Sequence, residues 1–237
     1  MRRALSGLVV LVLTSSLGVA ALRAEDDPPS KSKRTTGKAE DYFPLKPGTV
    51  WQYDIKMIGG PVVHAFGFKV ICRADGKDEG RPCFALDTHL ATGRRRKELL
   101  QRESYKVAKD GSRLCTERTN GPLTVPLKPA QTLLPGRFKV GQEWSWKGTY
   151  KGRKGQSKSR VERFETLTIE KTDYDCAVLT VETRSEDGAT SQHRTLWLAR
   201  GIGLVKEVSK DKRKGVEARL EGLLHRHTPA TAEAKSD

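Results

Sequence analysis

The stretch LKPGTVWQYD, Leu45–Asp54, returns further along the chain as FKVGQEWSWK, Phe138–Lys147. Each reads lysine, one residue, glycine, two residues, tryptophan, one residue, aromatic. The glycine permits a turn at positive φ, and aromatics two apart leave a strand on the same side. The spacing therefore predicts a turn and then a strand that presents Trp51 and Tyr53, or in the second copy Trp144 and Trp146, to one face.

The register extends beyond the quoted stretches. Gly48 and Gly141, Trp51 and Trp144, Tyr53 and Trp146, Cys83 and Cys176, and Leu86 and Leu179 all stand 93 residues apart. Tyr105 and Gly111 match Trp197 and Gly203 at 92, one deletion later. Two tandem β-meanders account for this pattern: neither buries its apolar face alone, and facing each other they share one core.

Strand signals fill the region between the ends. VWQYDIKM (50–57), CAVLTVETR (176–184) and VEARLEGLL (216–224) are short, rich in β-branched or aromatic residues, and mostly alternating. Turn dipeptides Asp75-Gly76, Thr92-Gly93, Asp110-Gly111 and Asp187-Gly188 punctuate them. No window carries a capped helical stripe. The expected fold is all-β, a curved antiparallel sheet or half-barrel of two repeats at about 42–118 and 136–227 within one domain, 41–227. The proline-rich 119–135 reads as an irregular crossover. Residues 25–40 and 228–237 lack apolar periodicity and read as a flexible leader and tail.

Residues 1–24 combine Arg2 and Arg3, an apolar run and small residues before a cut after Ala24, the pattern of a secretory signal peptide. An uncleaved anchor is the other reading of that run. No later stretch is long and apolar enough to span a bilayer, so the expected location is periplasmic or secreted. The chain has 44 Lys and Arg against 29 Asp and Glu among 237 residues, a formal +15. Loss of Arg2, Arg3 and Arg23 with the signal lowers this to +12. Such charge fits an anionic envelope component, or simply keeps the protein soluble.

Four cysteines in an exported chain fit a disulfide framework with three connectivities. A hairpin closed symmetrically on DGKDEG (75–80) sets Cys72 opposite Cys83, which leaves Cys115 for Cys176. Neither a CxxC spacing nor a Cys/His cluster is present, so no metal or other cofactor is expected. His225 and His227, in HRH, would supply only two ligands.

Searches for nucleophile, metal-hydrolase and phosphate-loop motifs (GxSxG, HExxH, the P-loop, GxGxxG before a helix) find none, and the expectation is a protein that is not an enzyme. The run KGTYKGRKGQSKSR, Lys147–Arg160, holds Lys147, Lys151, Arg153, Lys154, Lys158 and Arg160 and no acid. Its glycines suggest a hairpin tip, either a contact for anions or a membrane surface, or a solvated loop. GRRRK (93–97) and KDKRKG (210–215) are further basic turns. Tyr150 alone interleaves the main run, too little aromatic content for a single-stranded nucleic-acid platform, and no specific nucleic acid is expected.

YFPLKPGTVWQYD (Tyr42–Asp54) and WLARGIGLVKEV (Trp197–Val208) resemble the paired motifs of exported bacterial proteins of uncharacterised function. Those in turn resemble the half-barrels of the LolA/LolB type, in which a curved sheet encloses an apolar cavity. The resemblance implies a lipid or amphipathic ligand and transfers no site residues. If a cavity exists, Trp51, Tyr53, Trp144 and Trp146 would line it; if the core is filled, they pack it. A scaffold that meets acidic polymers or anionic membrane through its basic loops is the alternative. Oligomeric state is not encoded in any of these features.

Overall fold

The structure, a computed structural model, describes residues 30–31, 34–59, 62–91, 98–120, 123–150, 152–213 and 216–231. The signal segment and the last six residues lie outside them. Strand β1 (Ser30–Lys31), β2 (Thr36–Lys38) and a four-residue helix α1 (Ala39–Tyr42) come first. A meander follows: β3 (Val50–Gly59), β4 (Val62–Asp78), β5 (Arg81–Leu90), β6 (Leu99–Val107), β7 (Arg113–Asn120) and β8 (Leu123–Leu134). After β9 (Arg137–Lys139) a second meander runs through β10 (Glu143–Tyr150), β11 (Arg153–Ile169), β12 (Thr172–Ser185), β13 (Thr190–Ala199), β14 (Gly203–Arg213) and β15 (Val216–Thr228).

Among the described residues the fold is all-β and antiparallel apart from α1, and the sheet closes. β15 pairs with β3, joining the two meanders on one side. β11 pairs with β10 along one edge and with β12 along the other, which completes a barrel of twelve strands. This corrects the expectation of an open curved sheet or half-barrel. The physical reason is β11 itself, which pairs through Arg153–Arg160 with β10 on one edge and through Gly155–Ile169 with β12 on the other, so the two ends of the sheet meet.

Two further expectations change. The stretch 119–135 is a strand, β8, rather than an irregular crossover, and it accommodates its prolines by loosening its pairing. Gln131 faces Cys115 and Pro126 faces Glu117, so four residues of β8 oppose one of β7. Toward β10 the only registered partner pair is Thr149 with Lys128, because Pro126 and Pro129 have no N–H to offer a ladder. The end of the expected leader is ordered too: β2 pairs with β9, and α1 packs into the barrel.

Connectivity gives the barrel two different ends. The turns after β3, β5, β7, β10, β12 and β14 gather at one end, the mouth. The turns after β4, β6, β11 and β13, with the β8–β10 link, gather at the other, the base. A barrel of about eight strands is filled by its own side chains, whereas about sixteen leave a water channel. Twelve strands need extra filling, and at the base the chain supplies it. Tyr42, fully buried, sits edge-on to Phe138 (5.6 Å) and Phe164 (5.7 Å), which stack on each other at 5.9 Å. Val161, Leu179, Leu196 and Leu198 pack around them. The Gly201 N–H bonds the Asp41 carbonyl at 2.6 Å and the Ala39 N–H bonds the Gly136 carbonyl at 3.0 Å, tying the plug to two base turns.

Alternation decides what faces inward. Residues paired across a ladder share a face, and in β3 Trp51 and Ile55 are buried and Tyr53 half-buried, while Asp54 and Lys56 on the other face are exposed. The outer wall also carries exposed Arg73, Lys158, Arg160 and Arg184. No helix among the described residues is long and apolar enough to cross a membrane.

Candidate functional site

The four aromatics singled out by the repeat all face the barrel interior. Gly48 (φ 90°) and Gly141 (φ 78°) make the turns before β3 and β10, and Trp51 and Trp144 are each the second residue of the strand that follows. Their polar ends are all occupied. Trp51 Nε1 donates to the Ile202 carbonyl at 2.8 Å and the Tyr53 hydroxyl donates to the Leu204 carbonyl at 2.9 Å, so both reach past β15 to the start of β14. Trp144 Nε1 donates to the Thr132 carbonyl at 3.1 Å and Trp146 Nε1 to the Pro129 carbonyl at 2.7 Å. These last two bonds serve carbonyls of β8 on the side where the ladder to β10 is almost absent. Gly148 belongs to the same seam: a Cβ there would lie 2.5 Å from the Lys128 carbonyl oxygen and 2.5 Å from the Trp146 ring.

Above these aromatics the interior becomes charged. Arg118 donates to Glu103 at 2.9 Å and to Gln131 at 3.3 Å, and Gln131 donates to the Ser157 hydroxyl at 2.9 Å. The Tyr105 hydroxyl donates to the other oxygen of Glu103 at 2.9 Å. From the facing wall Arg194 grips Glu207 through two bonds, at 2.8 and 3.0 Å. Burial works to lower both guanidinium pKa values, and Glu103 and Glu207 more than offset it, so both stay charged. Burial and the Glu103 charge push the Tyr105 phenol well above its usual range. Each charge is matched within the network, as a buried charge must be. Sequence reading missed this group because Arg and Glu in alternating strands look the same whether they face water or a lumen.

Towards the mouth the inward row is only half-buried. On one side stand Met57, Phe66, Phe68, Leu90 and Leu220, the two phenylalanine rings edge-on at 5.1 Å. On the other stand Thr183, Gln192 and Asp211, and the buried Oδ1 of Asp211 has no hydrogen-bond partner among the described residues. The mouth is therefore apolar on the β3–β4–β5–β15 side and polar on the β12–β13–β14 side. Its edge carries exposed Val62 (48%), Val63 (57%), Leu123 (52%) and Val216 (70%), each at the start of a strand leaving the mouth.

The basic run 147–160 is mostly paired strand, not a hairpin tip. Lys147 projects outward from β10, and Lys154, Lys158 and Arg160 project outward from β11. Lys154 lies 3.6 Å from Glu186, Lys158 is 2.9 Å and Arg160 is 3.6 Å from Glu143, and the last is also 3.6 Å from Glu162. Lys151 and the Arg153 side chain lie outside the described residues. The same holds for residues 93–97 and 214–215, although the strands flanking them end at the mouth.

The disulfide expectation is corrected. All four cysteines are free thiols. The β4–β5 hairpin turns at Glu79-Gly80, not symmetrically about 75–80, and slips by one residue between Ala74 and Lys77. Cys72 therefore faces Leu86, while Cys83 faces Lys106 on β6. Cys72, Cys115 and Cys176 are buried, and burial pushes each thiol up to about 12. They act as small apolar side chains. Among the described residues no group of three His, Cys, Asp or Glu could hold a metal.

One outer-wall group is built like a site but is structural. Asp87, 3% exposed, receives Arg73 Nε at 2.8 Å and two bonds from Arg102 at 2.6 and 2.9 Å. Burial works to raise its carboxyl, and the bonds from Arg102 and Arg73 outweigh it and hold the group below the usual carboxylate range. The triad fastens β4, β5 and β6 together.

No family model matches the chain, and no curated protein matches it. Among solved structures it is similar to an exported protein with YmcC-like fold from Bacteroides fragilis, at TM-score 0.44 and 12% identity over 80% of this chain and 99% of that one. A lipoprotein from Parabacteroides distasonis gives 0.42 and 12% over 79% and 98%. A LolA superfamily protein from Nitrosomonas europaea gives 0.29 and 11% over 83% and 94%.

Proposed function

We propose that this protein is an exported, non-enzymatic β-barrel of the cell envelope that holds an amphipathic ligand in its mouth. The supporting observation is the division of the half-buried inner row. Met57, Phe66, Phe68, Leu90 and Leu220 offer an apolar wall for an acyl chain or similar group, and Asp211, Gln192 and Thr183 offer a polar wall for its headgroup. The Arg118–Glu103 and Arg194–Glu207 pairs form the floor of this chamber, and Trp51, Tyr53, Trp144 and Trp146 lie beneath that floor, packed against the core. Export follows from the signal-like residues 1–24. The rim valines and Leu123, together with the cations of the 147–160 run, suit contact with an anionic lipid surface from which such a ligand would come.

The barrel is also read as a duplication. Six meander strands, β3–β8, correspond to β10–β15, with the quoted tryptophans, glycines and cysteines at matching strands. Twelve strands from two copies close a ring that six cannot.

Native mass spectrometry of the exported protein, compared with denaturing spectra, tests the ligand reading. The expected result is an adduct lost on denaturation, or retention of added lysophospholipid that Phe68→Asp abolishes. A bare mass and no retention of lysophospholipid would overturn it.

A further inference from the structure

The outer wall of the second meander carries a feature that the lumen does not use. Two clefts of about 520 and 510 Å³ adjoin on it, sharing Glu182 and Arg184. The strand register explains their lining. One row of ladder partners runs from Lys147 through Gln156, Arg184 and Ser191 to Lys212 and Glu217. Next to it a second row runs from Lys158 through Glu182 and His193 to Lys210, Arg219 and Ile58. Both rows face outward, because their strand neighbours Ser157, Val181 and Ser209 are the buried, inward ones.

Seven strands from β10 to β3, about 4.8 Å apart, make this band roughly 29 Å long. At the edge of the 520 Å³ cleft Glu143 lies 2.9 Å from Lys158. The two rows themselves hold six cations, Lys147, Arg184, Lys212, Lys158, Lys210 and Arg219, against two acids, Glu182 and Glu217. Those acids make only exposed pairs, Glu182 with Arg184 at 3.8 Å and Glu217 with Lys212 at 3.5 Å, which water already weakens. Lys147, Lys210 and Arg219 make no ion pair among the described residues. Between the cations lie Gln156 and Ser191, neutral hydrogen-bonding groups, and the His193 imidazole, with no Phe, Tyr or Trp in either row.

We propose that this band is a binding surface for a linear acidic polysaccharide, lying across the strands with its carboxylates or sulfates on successive cations. Strand spacing sets a repeating row of charge for an extended polyanion. The amide and hydroxyl groups between the cations fit a hydroxyl-rich chain, and the lack of Phe, Tyr or Trp in either row disfavours the base stacking that single-stranded nucleic acid uses. The 510 Å³ cleft also touches Gln192 and Asp211 of the mouth's polar wall, so the band adjoins the mouth, but its cations face outward whether or not the lumen takes a ligand.

The test is titration of the exported full chain with a fluorescent oligogalacturonate, its methyl ester, and a single-stranded oligonucleotide of matched length. The oligogalacturonate should bind and weaken as salt rises, and the neutral ester should not bind. Combined Lys147→Gln, Arg184→Gln and Lys212→Gln should lower affinity about tenfold, whereas Lys69→Gln, Lys77→Gln and Lys109→Gln, outside the band, should change it less than about twofold. All six side chains are at least partly exposed, and thermal midpoints check that both triple variants stay folded. Absence of oligogalacturonate binding, equal loss in the two triple variants, equal binding of the ester, or tighter binding of the oligonucleotide would each overturn the proposal.

Discussion

Trp146→Phe should open the barrel at one place. The indole N–H of Trp146 reaches the Pro129 carbonyl at 2.7 Å, at the seam where Thr149 and Lys128 are the only registered ladder partners between β8 and β10. Phenylalanine keeps most of the buried ring and removes the donor, so the carbonyl is left unsatisfied, at a cost of about 2 kcal/mol. Trp51→Phe is the matched control. It deletes an N–H bonded to the Ile202 carbonyl at 2.8 Å, but β3 is laddered along its length to both β4 and β15. Both variants should lose similar global stability in urea. Only Trp146→Phe should speed amide hydrogen exchange locally along 143–150, by about 30-fold for a 2 kcal/mol loss. If exchange there is unchanged, or if Trp51→Phe raises it equally, the tryptophan does not hold the seam.

Three other outcomes follow from the same structure. Tyr42→Ala should empty the base plug and cost about 3–5 kcal/mol, read as a lowered urea midpoint; a loss below about 1 kcal/mol would mean that the base is filled without it. Thiol titration should find four thiols in denaturant and rapid native labelling of Cys83 alone, because Cys72, Cys115 and Cys176 are buried with thiols raised to about 12; two or fewer thiols in denaturant would restore a disulfide. The Asp87 carboxyl is depressed in the folded state, so its contribution is complete above the ordinary carboxylate pKa and is lost as pH falls through the lower folded value. Asp87→Asn should therefore reduce stability at neutral pH and flatten the acid limb of the stability curve, and an unchanged acid limb would refute that assignment.

The alternation in VWQYDIKM and EWSWK was enough to place Trp51, Tyr53, Trp144 and Trp146 on inward faces, because side-chain direction in a strand depends only on the period of two. The same pattern did not reveal that β8 is a strand, since prolines that break one ladder edge are compatible with a strand bonded on its other edge. The cysteine pairing failed for a related reason. The β4–β5 turn lies at Glu79-Gly80 and not at the centre of DGKDEG, which gives Cys72 the partner Leu86 in place of Cys83, and nothing in DGKDEG announces where the turn falls. The basic run was read as a tip because its glycines look like turn residues, yet Gly148 and Gly155 face each other inside a paired hairpin.

By itself, the sequence determined the local matters: strands, turn glycines at Gly48 and Gly141, the inward aromatics and the absence of long helices, all set by neighbours within a few residues. Tertiary structure alone decided that the sheet closes, that Tyr42 returns to plug one end, and that Glu103, Arg118, Arg194 and Glu207 meet inside while Lys147, Arg184 and Lys212 align outside. Those facts depend on register between strands far apart in the chain. A shift of one residue, worth almost nothing to local propensity, would exchange every inward side chain for an outward one.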